Sequence, residues 1–142
     1  MKRLILVGGP MGVGKSAVCR ALMERLSRCL YLDGDWCWNM RPFSVTEETR
    51  ALVLDNICSV LARDLRCPEL DHVIFGWVLH QQETIDTILS RLPLEGVEII
   101  ISPSWPRRRL CAPGWSGTWR TAAGPGTGWW SGAWPICLCM KS

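Results

Sequence analysis

The sequence predicts an α/β fold: a mostly parallel sheet with helices on both faces, truncated after about four strands. Three observations predict it. A continuous apolar run, Leu4-Ile5-Leu6-Val7, enters a glycine-rich turn that opens an amphipathic helical segment. Short apolar runs and helical periods then alternate up to about residue 102, as strand–helix–strand units require. Beyond that point no apolar period of 2 or of 3.6 survives.

Leu4 to Val7 reads as a strand buried on both faces. The turn after it runs Gly9-Pro10-Met11-Gly12-Val13-Gly14-Lys15-Ser16, followed by Ala17. That is the G-x-x-x-x-G-K-S spacing of a phosphate-binding loop. Glycines let the backbone turn its N–H groups inward with no Cβ in the way. Lys15 is placed to put an ammonium on the β/γ-phosphates, and Ser16 a hydroxyl on Mg²⁺. The next helix adds its positive N-terminal end. Gly9 through Ala17 are therefore the candidate nucleotide-binding residues, with ATP and Mg²⁺ as the cofactors. The expected architecture is of the P-loop NTPase type.

A helix is expected from about Lys15 to Arg28, with Val18, Leu22 and Leu26 inward and Cys19 and Met23 beside them. Cys29 to Leu32 reads as strand two and ends in Asp33-Gly34-Asp35. In open parallel sheets, ligands sit beyond the carboxyl ends of strands. Two carboxylates there suit chemistry, one toward Mg²⁺ and one toward an acceptor hydroxyl; a solvated turn is the other reading. Trp36, Trp38 and Phe43, with Asn39 and Arg41 among them, either wall an acceptor pocket or form a local core cluster.

Ser44 to Glu48 carries a helix start, with Ser44 or Thr46 as N-cap. The helix runs to about Leu65 with Leu52, Ile57, Val60 and Leu61 inward. Asp71 to Val78 is strand three, but Gly76-Trp77 stands where a motor ATPase carries an acid. His80, Gln81 and Gln82 follow; each is either a ligand contact or part of a helix start. The helix from Gln82 to Leu92 buries Ile85, Ile88, Leu89 and Leu92, and Pro93 and Gly96 close it. Val97 to Ile101 is strand four.

Charge divides the 142 residues unevenly. The overall net is +3, but residues 1–100 hold 11 Lys/Arg against 13 Asp/Glu, and residues 101–142 hold five Lys/Arg and no acid. Six of the nine tryptophans lie in 104–142. Disordered tails avoid tryptophan, so the stretch invites a reading as coding sequence out of frame. Tryptophan has a single codon, TGG. Shifting the frame by one base turns every Trp into Leu, Val or Met, and GC-rich codons then restore acids and a helical period. The expected division is a P-loop nucleotide-binding, kinase-like domain, 1–102, and an irregular, disordered Trp-, Gly-, Pro- and Arg-rich tail, 103–142, that leaves its frame near Ser102–Ser104. The rival is a native basic tail that stacks on nucleic acid. Nucleic acid is not the expected partner of the chain; a nucleotide and a small hydroxyl-bearing substrate are. Eight cysteines without a C-x-x-C pair or a His at zinc spacing read as reduced thiols in a cytoplasmic protein. No leader and no membrane-length apolar run are expected.

Residues 1 to about 102 resemble small bacterial P-loop kinase-like ATPases, loosely labelled AAA-family ATP-binding proteins. The resemblance rests on Gly9-x4-Gly14-Lys15-Ser16, on Leu32-Asp33-Gly34-Asp35-Trp36-Cys37-Trp38, and on Ile74 to His80. Leu-Asp-Gly-Asp is similar to the element of adenylylsulfate kinases. Shikimate and gluconate kinases and chloramphenicol phosphotransferases carry related Asp-x-Asp elements. The resemblance implies Lys15 and Ser16 at the phosphates and Mg²⁺, Asp33 near the metal and Asp35 near the acceptor; with the residue reading above, the expected catalytic residues are Lys15 and Asp35, the metal-binding ones Ser16 and Asp33, and the substrate-binding ones Asp33, Asp35, Trp38, Arg41 and His80. It also implies γ-phosphoryl transfer from ATP to a small hydroxyl acceptor. Those families carry an arginine-bearing lid after strand four, which the out-of-frame rereading resembles and the chain as written lacks. The other readings are a nucleotide-binding switch or ATPase without kinase activity, and a remnant of little turnover.

Overall fold

The computed structural model describes residues 1–79, 81–101, 118–121 and 137–140. Four parallel strands form its centre: β1 (Lys2–Gly8), β2 (Cys29–Asp33), β3 (His72–Trp77) and β4 (Val97–Ile101). Three α-helices connect them: α1 (Lys15–Arg25), α2 (Glu47–Arg66) and α3 (Gln82–Ser90). A short 3-10 helix, Gly34–Trp38, follows β2. The sheet order is β2-β3-β1-β4-β6-β5. The parallel part ends after four strands, as the periodicity predicts. Two short strands, β5 (Thr118–Thr121) and β6 (Cys137–Met140), continue the sheet in antiparallel fashion, β6 beside β4 and β5 beside β6. The physical reason is the edge of β4, whose N–H and C=O groups need partners.

Alternation along the strands splits the sheet into two faces. Leu4, Leu6, Val73, Phe75, Ile99 and Ile101 face α2 and α3. Ile5, Val7, Tyr31 and Ile74 face Cys19 of α1. Helices thus cover both faces, as expected. Helix α1 is three residues shorter than the expected Arg28 end, because Leu26 is already extended and Arg28 takes a positive φ of 52°. Val18, Leu22 and Leu26 are half-buried against the sheet, and Cys19 is the fully buried residue of the helix.

Helix α2 starts at Thr46, where Thr46 and Thr49 cap each other reciprocally. Of its expected inward residues, Ile57 and Leu61 are buried, but Leu52 is 54% exposed and Val60 is also exposed. The buried stripe is instead Val53, Ile57, Leu61 and Leu65. A four-residue step from Ile57 fixes that stripe, and Leu52 lies a turn of about 100° away from Val53. The far end of α2 is closed by Lys2, whose Nζ donates to the carbonyls of Leu65 and Cys67. Across the sheet, Arg3 on β1 stands in register with Glu98 on β4 and binds its buried carboxylate at 2.6 Å.

Candidate functional site

The loop between β1 and α1 has the backbone that its glycines predict. Gly9, Gly12 and Gly14 all have positive φ, at 148°, 81° and 91°. L-side chains rarely adopt such angles, so the glycines are there for conformation, and a Cβ at Gly12 or Gly14 would stand in open space. Helix α1 begins directly after Gly14 with no side-chain cap and no acid in its first turn. Its leading N–H groups and the positive end of its dipole are therefore left for an anion. Lys15 Nζ donates to the Pro10 carbonyl at 2.8 Å, closing the loop and leaving two ammonium protons for a phosphate. Met11, Val13, Ser16 and Ala17 are exposed along the same loop.

Asp33 ends β2 and is held at both oxygens. Its Oδ1 accepts from the backbone N–H of Asp35 at 3.0 Å, capping the 3-10 helix. Its Oδ2 accepts from the Tyr31 hydroxyl at 3.0 Å. Asp35, two residues further, is exposed. Gly34 between them is required by packing: a Cβ there would lie 2.4 Å from Cγ of Trp77. The Asp-Gly-Asp spacing therefore reflects Trp77 on the neighbouring strand as well as the two acids.

The structure divides the aromatic residues that follow. Trp38 is half-buried against the main core and meets Phe43 in a tilted ring contact, with centroids 5.9 Å apart. Trp36 is 62% exposed and leans on Tyr31 at 5.8 Å. Arg41 is exposed on the loop beyond. Gln82 spends its amide on Asp86 at 2.9 Å, and Gln81 occupies the N-cap of α3. Both belong to the helix start. His80 lies outside the described residues.

The missing acid of β3 has a structural counterpart. Gly76 pairs with Asp33 across the β2–β3 ladder. A Cβ at Gly76 would meet Cys19 Sγ at 3.0 Å and the Tyr31 hydroxyl at 3.3 Å. The space is filled by the side chains of Tyr31 and Cys19. Burial pushes the Cys19 thiol up to about 11, so it is no nucleophile near neutrality. Burial likewise raises the Tyr31 phenol above its ordinary value. Tyr31 escaped sequence reasoning. The signal was the period of two on β2, which puts Tyr31 on the same face as Asp33.

The donor set suits a hard cation that takes few protein ligands. Ser16 supplies a hydroxyl, and Asp33 a carboxylate held by the Tyr31 phenol. Among the described residues no group of three or more His, Cys, Asp or Glu gathers as a metal cage. Cys19, Cys29, Cys37, Cys58 and Cys67 are free thiols. No helix among the described residues is long and apolar enough to cross a membrane.

A family model described as AAA domain matches residues 5–116. The chain belongs to the AAA domain family. Its fold is that of the small P-loop kinase-like ATPases, a class to which nucleotide binding belongs. Three solved structures share this AAA domain's fold. The protein APE1195 is 21% identical with a TM-score of 0.53, over 68% of this chain and 58% of that one. The Pnkp1/Rnl/Hen1 complex contributes a chain 14% identical with a TM-score of 0.59, over 70% and 34%. A cysteine-to-alanine mutant of the Mycobacterium tuberculosis APS kinase CysC is 20% identical with a TM-score of 0.54, over 70% and 73%. The chain thus spans little more than half of the first of these and about a third of the second. No curated protein matches it.

Proposed function

We propose that the protein is a cytoplasmic phosphotransferase that moves the γ-phosphoryl group of ATP to a hydroxyl on a small acceptor. The observation that carries this reading is the placement of two carboxylates, Asp33 and Asp35, at the carboxyl end of β2, on the same edge of the parallel sheet as the phosphate loop that follows β1. A motor ATPase instead needs an acid at the end of β3, where this chain has Gly76 and Trp77.

Each residue has a distinct role in the proposal. The loop N–H groups and the start of α1 hold the phosphates, and Lys15 places its ammonium on the β/γ oxygens. Ser16 and Asp33 hold Mg²⁺, which when bound neutralises charge on the phosphate oxygens. Asp33, fixed at both oxygens, suits a positioning task. Asp35, exposed, is free to orient an acceptor hydroxyl and take its proton. Trp36 and Arg41 flank the acceptor, and Trp38 supports the segment from beneath. The likeness to an APS kinase supports the class of reaction, and the acceptor is drawn from small hydroxyl compounds.

Two substitutions test this together. Lys15→Ala is expected to weaken ATP binding by about 100-fold or more, the scale of a lost charge-assisted phosphate contact. Asp35→Asn is expected to leave ATP affinity within about twofold and to abolish transfer to any acceptor found in a screen of hydroxyl compounds. Calorimetry with a non-hydrolysable ATP analogue measures the first, and phosphoryl transfer the second. Unchanged affinity in Lys15→Ala overturns the loop assignment.

A second reading, a nucleotide-binding remnant without turnover, is favoured by the loss of every acid after residue 100. Under it, 103–142 are translated out of frame and the arginine-bearing lid is gone. Removing a lid admits water and takes charge from the transferred group. Restoring the shifted frame is then expected to raise phosphotransfer and solubility together.

A further inference from the structure

We propose that the amino end of the sheet carries a second small-molecule site, which takes a zwitterion with an apolar body: a free amino acid with a large apolar side chain. The site lies where the end of α2 meets the turn from α3 into β4. A cavity of about 610 Å³ is lined there by Lys2, by Leu65 and Arg66 of α2, and by the segment Leu92–Val97. Small-ligand sites commonly run from about 300 to 1,000 Å³. Lys2 begins β1 and Gly8 ends it, so at about 3.3 Å per residue the cavity lies roughly 20 Å from the phosphate loop. The proposal is therefore independent of the nucleotide site.

The strand register builds one wall. Lys2 pairs with Val97 across the β1–β4 ladder, and Leu4 and Leu6, which alternate with it, face α2 and α3. The Lys2 side chain takes the same face and donates from Nζ to the Leu65 and Cys67 carbonyls. Its charge answers the negative end of α2, and one of its three ammonium protons remains. Arg66, the last residue of α2, is exposed, and its guanidinium pairs with no carboxylate among the described residues. Its planar fork of donors suits a carboxylate. The opposite sign comes from the other wall. There the Val97 N–H donates to the Leu94 carbonyl at 3.2 Å, and Gly96 takes a positive φ of 69°. This tight turn sets Glu95 on the cavity, exposed and not paired with Arg66. The rest of the lining is apolar: Leu65, Leu92 and Val97 are buried, and Pro93 and Leu94 half-buried. A matching ligand brings a carboxylate to Arg66 and the free Lys2 proton, an ammonium to Glu95, and an apolar group to the leucines. A simple amphipathic anion would leave Glu95 opposing it, and a multiply charged anion more so.

Calorimetry on the full chain tests this with three related probes: phenylalanine, 3-phenylpropionate, which lacks the ammonium, and phenethylamine, which lacks the carboxylate. Phenylalanine is expected to bind about fivefold tighter than either, the scale of one partly exposed ion pair. It is expected to bind at least about tenfold tighter than alanine, which has little apolar surface to bury. Arg66→Gln and Glu95→Gln alter exposed side chains, so neither endangers the fold. Arg66→Gln is expected to weaken phenylalanine and 3-phenylpropionate about fivefold and to leave phenethylamine within about twofold. Glu95→Gln is expected to weaken phenylalanine and phenethylamine and to leave 3-phenylpropionate unchanged. Absence of phenylalanine binding at millimolar concentration overturns the proposal. So does equal binding of phenylalanine and 3-phenylpropionate, since the site is then one for simple anions. Phenylalanine binding that either substitution leaves unchanged overturns it too, because the ligand then sits elsewhere.

Discussion

The face of the sheet beneath α2 and α3 and the face beneath α1 come from the same four strands by simple alternation, yet they are filled differently. Among the described residues, the first gathers seventeen buried side chains and the second five. The first is aliphatic apart from Phe75 and Cys58. The second places a phenol, a thiol and a glycine side by side at the carboxyl end of the strands. A polar group buried in the first would be an orphan. In the second, the Tyr31 hydroxyl is satisfied by Asp33. One face therefore carries most of the stability, and the other gives up packing to hold groups in place for the phosphate loop.

The comparison breaks most readily at Phe75, fully buried on the stability face. Phe75→Ala is expected to cost about 3–5 kcal/mol, a large share of the roughly 5–15 kcal/mol that holds a domain folded. Ile5→Ala on the α1 face leaves a smaller side chain missing from a thinner layer, and is expected to cost near 2 kcal/mol, the low end of the aliphatic range. Urea unfolding of both variants measures the difference. Equal losses mean that the two faces share the load.

A smaller effect is expected at Gly34, where the faces meet the site. Gly34→Ala would push a Cβ to 2.4 Å from Trp77 Cγ, and a forced repacking costs about 1–3 kcal/mol. Because Asp33 and Asp35 flank it, phosphotransfer is expected to fall more steeply than stability. Near-UV circular dichroism reports the Trp77 shift, and activity of the folded fraction reports the site. Stability lost with activity kept would show that the two acids do not depend on the turn geometry.

Much of this was legible in the sequence for a physical reason. Leu4 to Val7 could be nothing but a buried strand, and Gly12 and Gly14 stand at backbone angles that favour glycine. Local rules of period and conformation settled those elements. Leu52 misled because two apolar stripes can be drawn on α2, and only the sheet beneath chooses Val53 over it. Gly34 and Gly76 looked like turn and strand glycines, whereas the reasons for them are Trp77 and Tyr31 on neighbouring strands. Such reasons live in the ladder register, with Asp33 beside Gly76, and no single segment contains both partners. The tail shows the same limit from the other side. Its lack of period concealed the short strands β5 and β6, which exist by pairing with β4 and with each other.

The smallest expected effect separates the two ends of the strands. His72 begins β3, at the end opposite the nucleotide loop, with its Nδ1 buried and unpartnered among the described residues. Burial lowers its pKa below the ordinary 6.5, and Arg3 adds to the lowering, while Asp71 and Glu98 oppose it. A depressed histidine takes up its proton in the unfolded chain before it does in the folded one. Its contribution to stability is therefore complete above pH 6.5 and is lost as the pH falls through the folded value. Urea midpoints at pH 7.5 and 5.5 are expected to drop more in the unaltered protein than in His72→Gln, which has no proton to gain. ATP affinity in His72→Gln is expected to match the unaltered protein at pH 7.5, since the site lies at the other end of β3. Parallel midpoint losses in the two proteins would assign the acid sensitivity to carboxylates instead, and a loss of ATP affinity would mean that the two ends of the sheet are coupled.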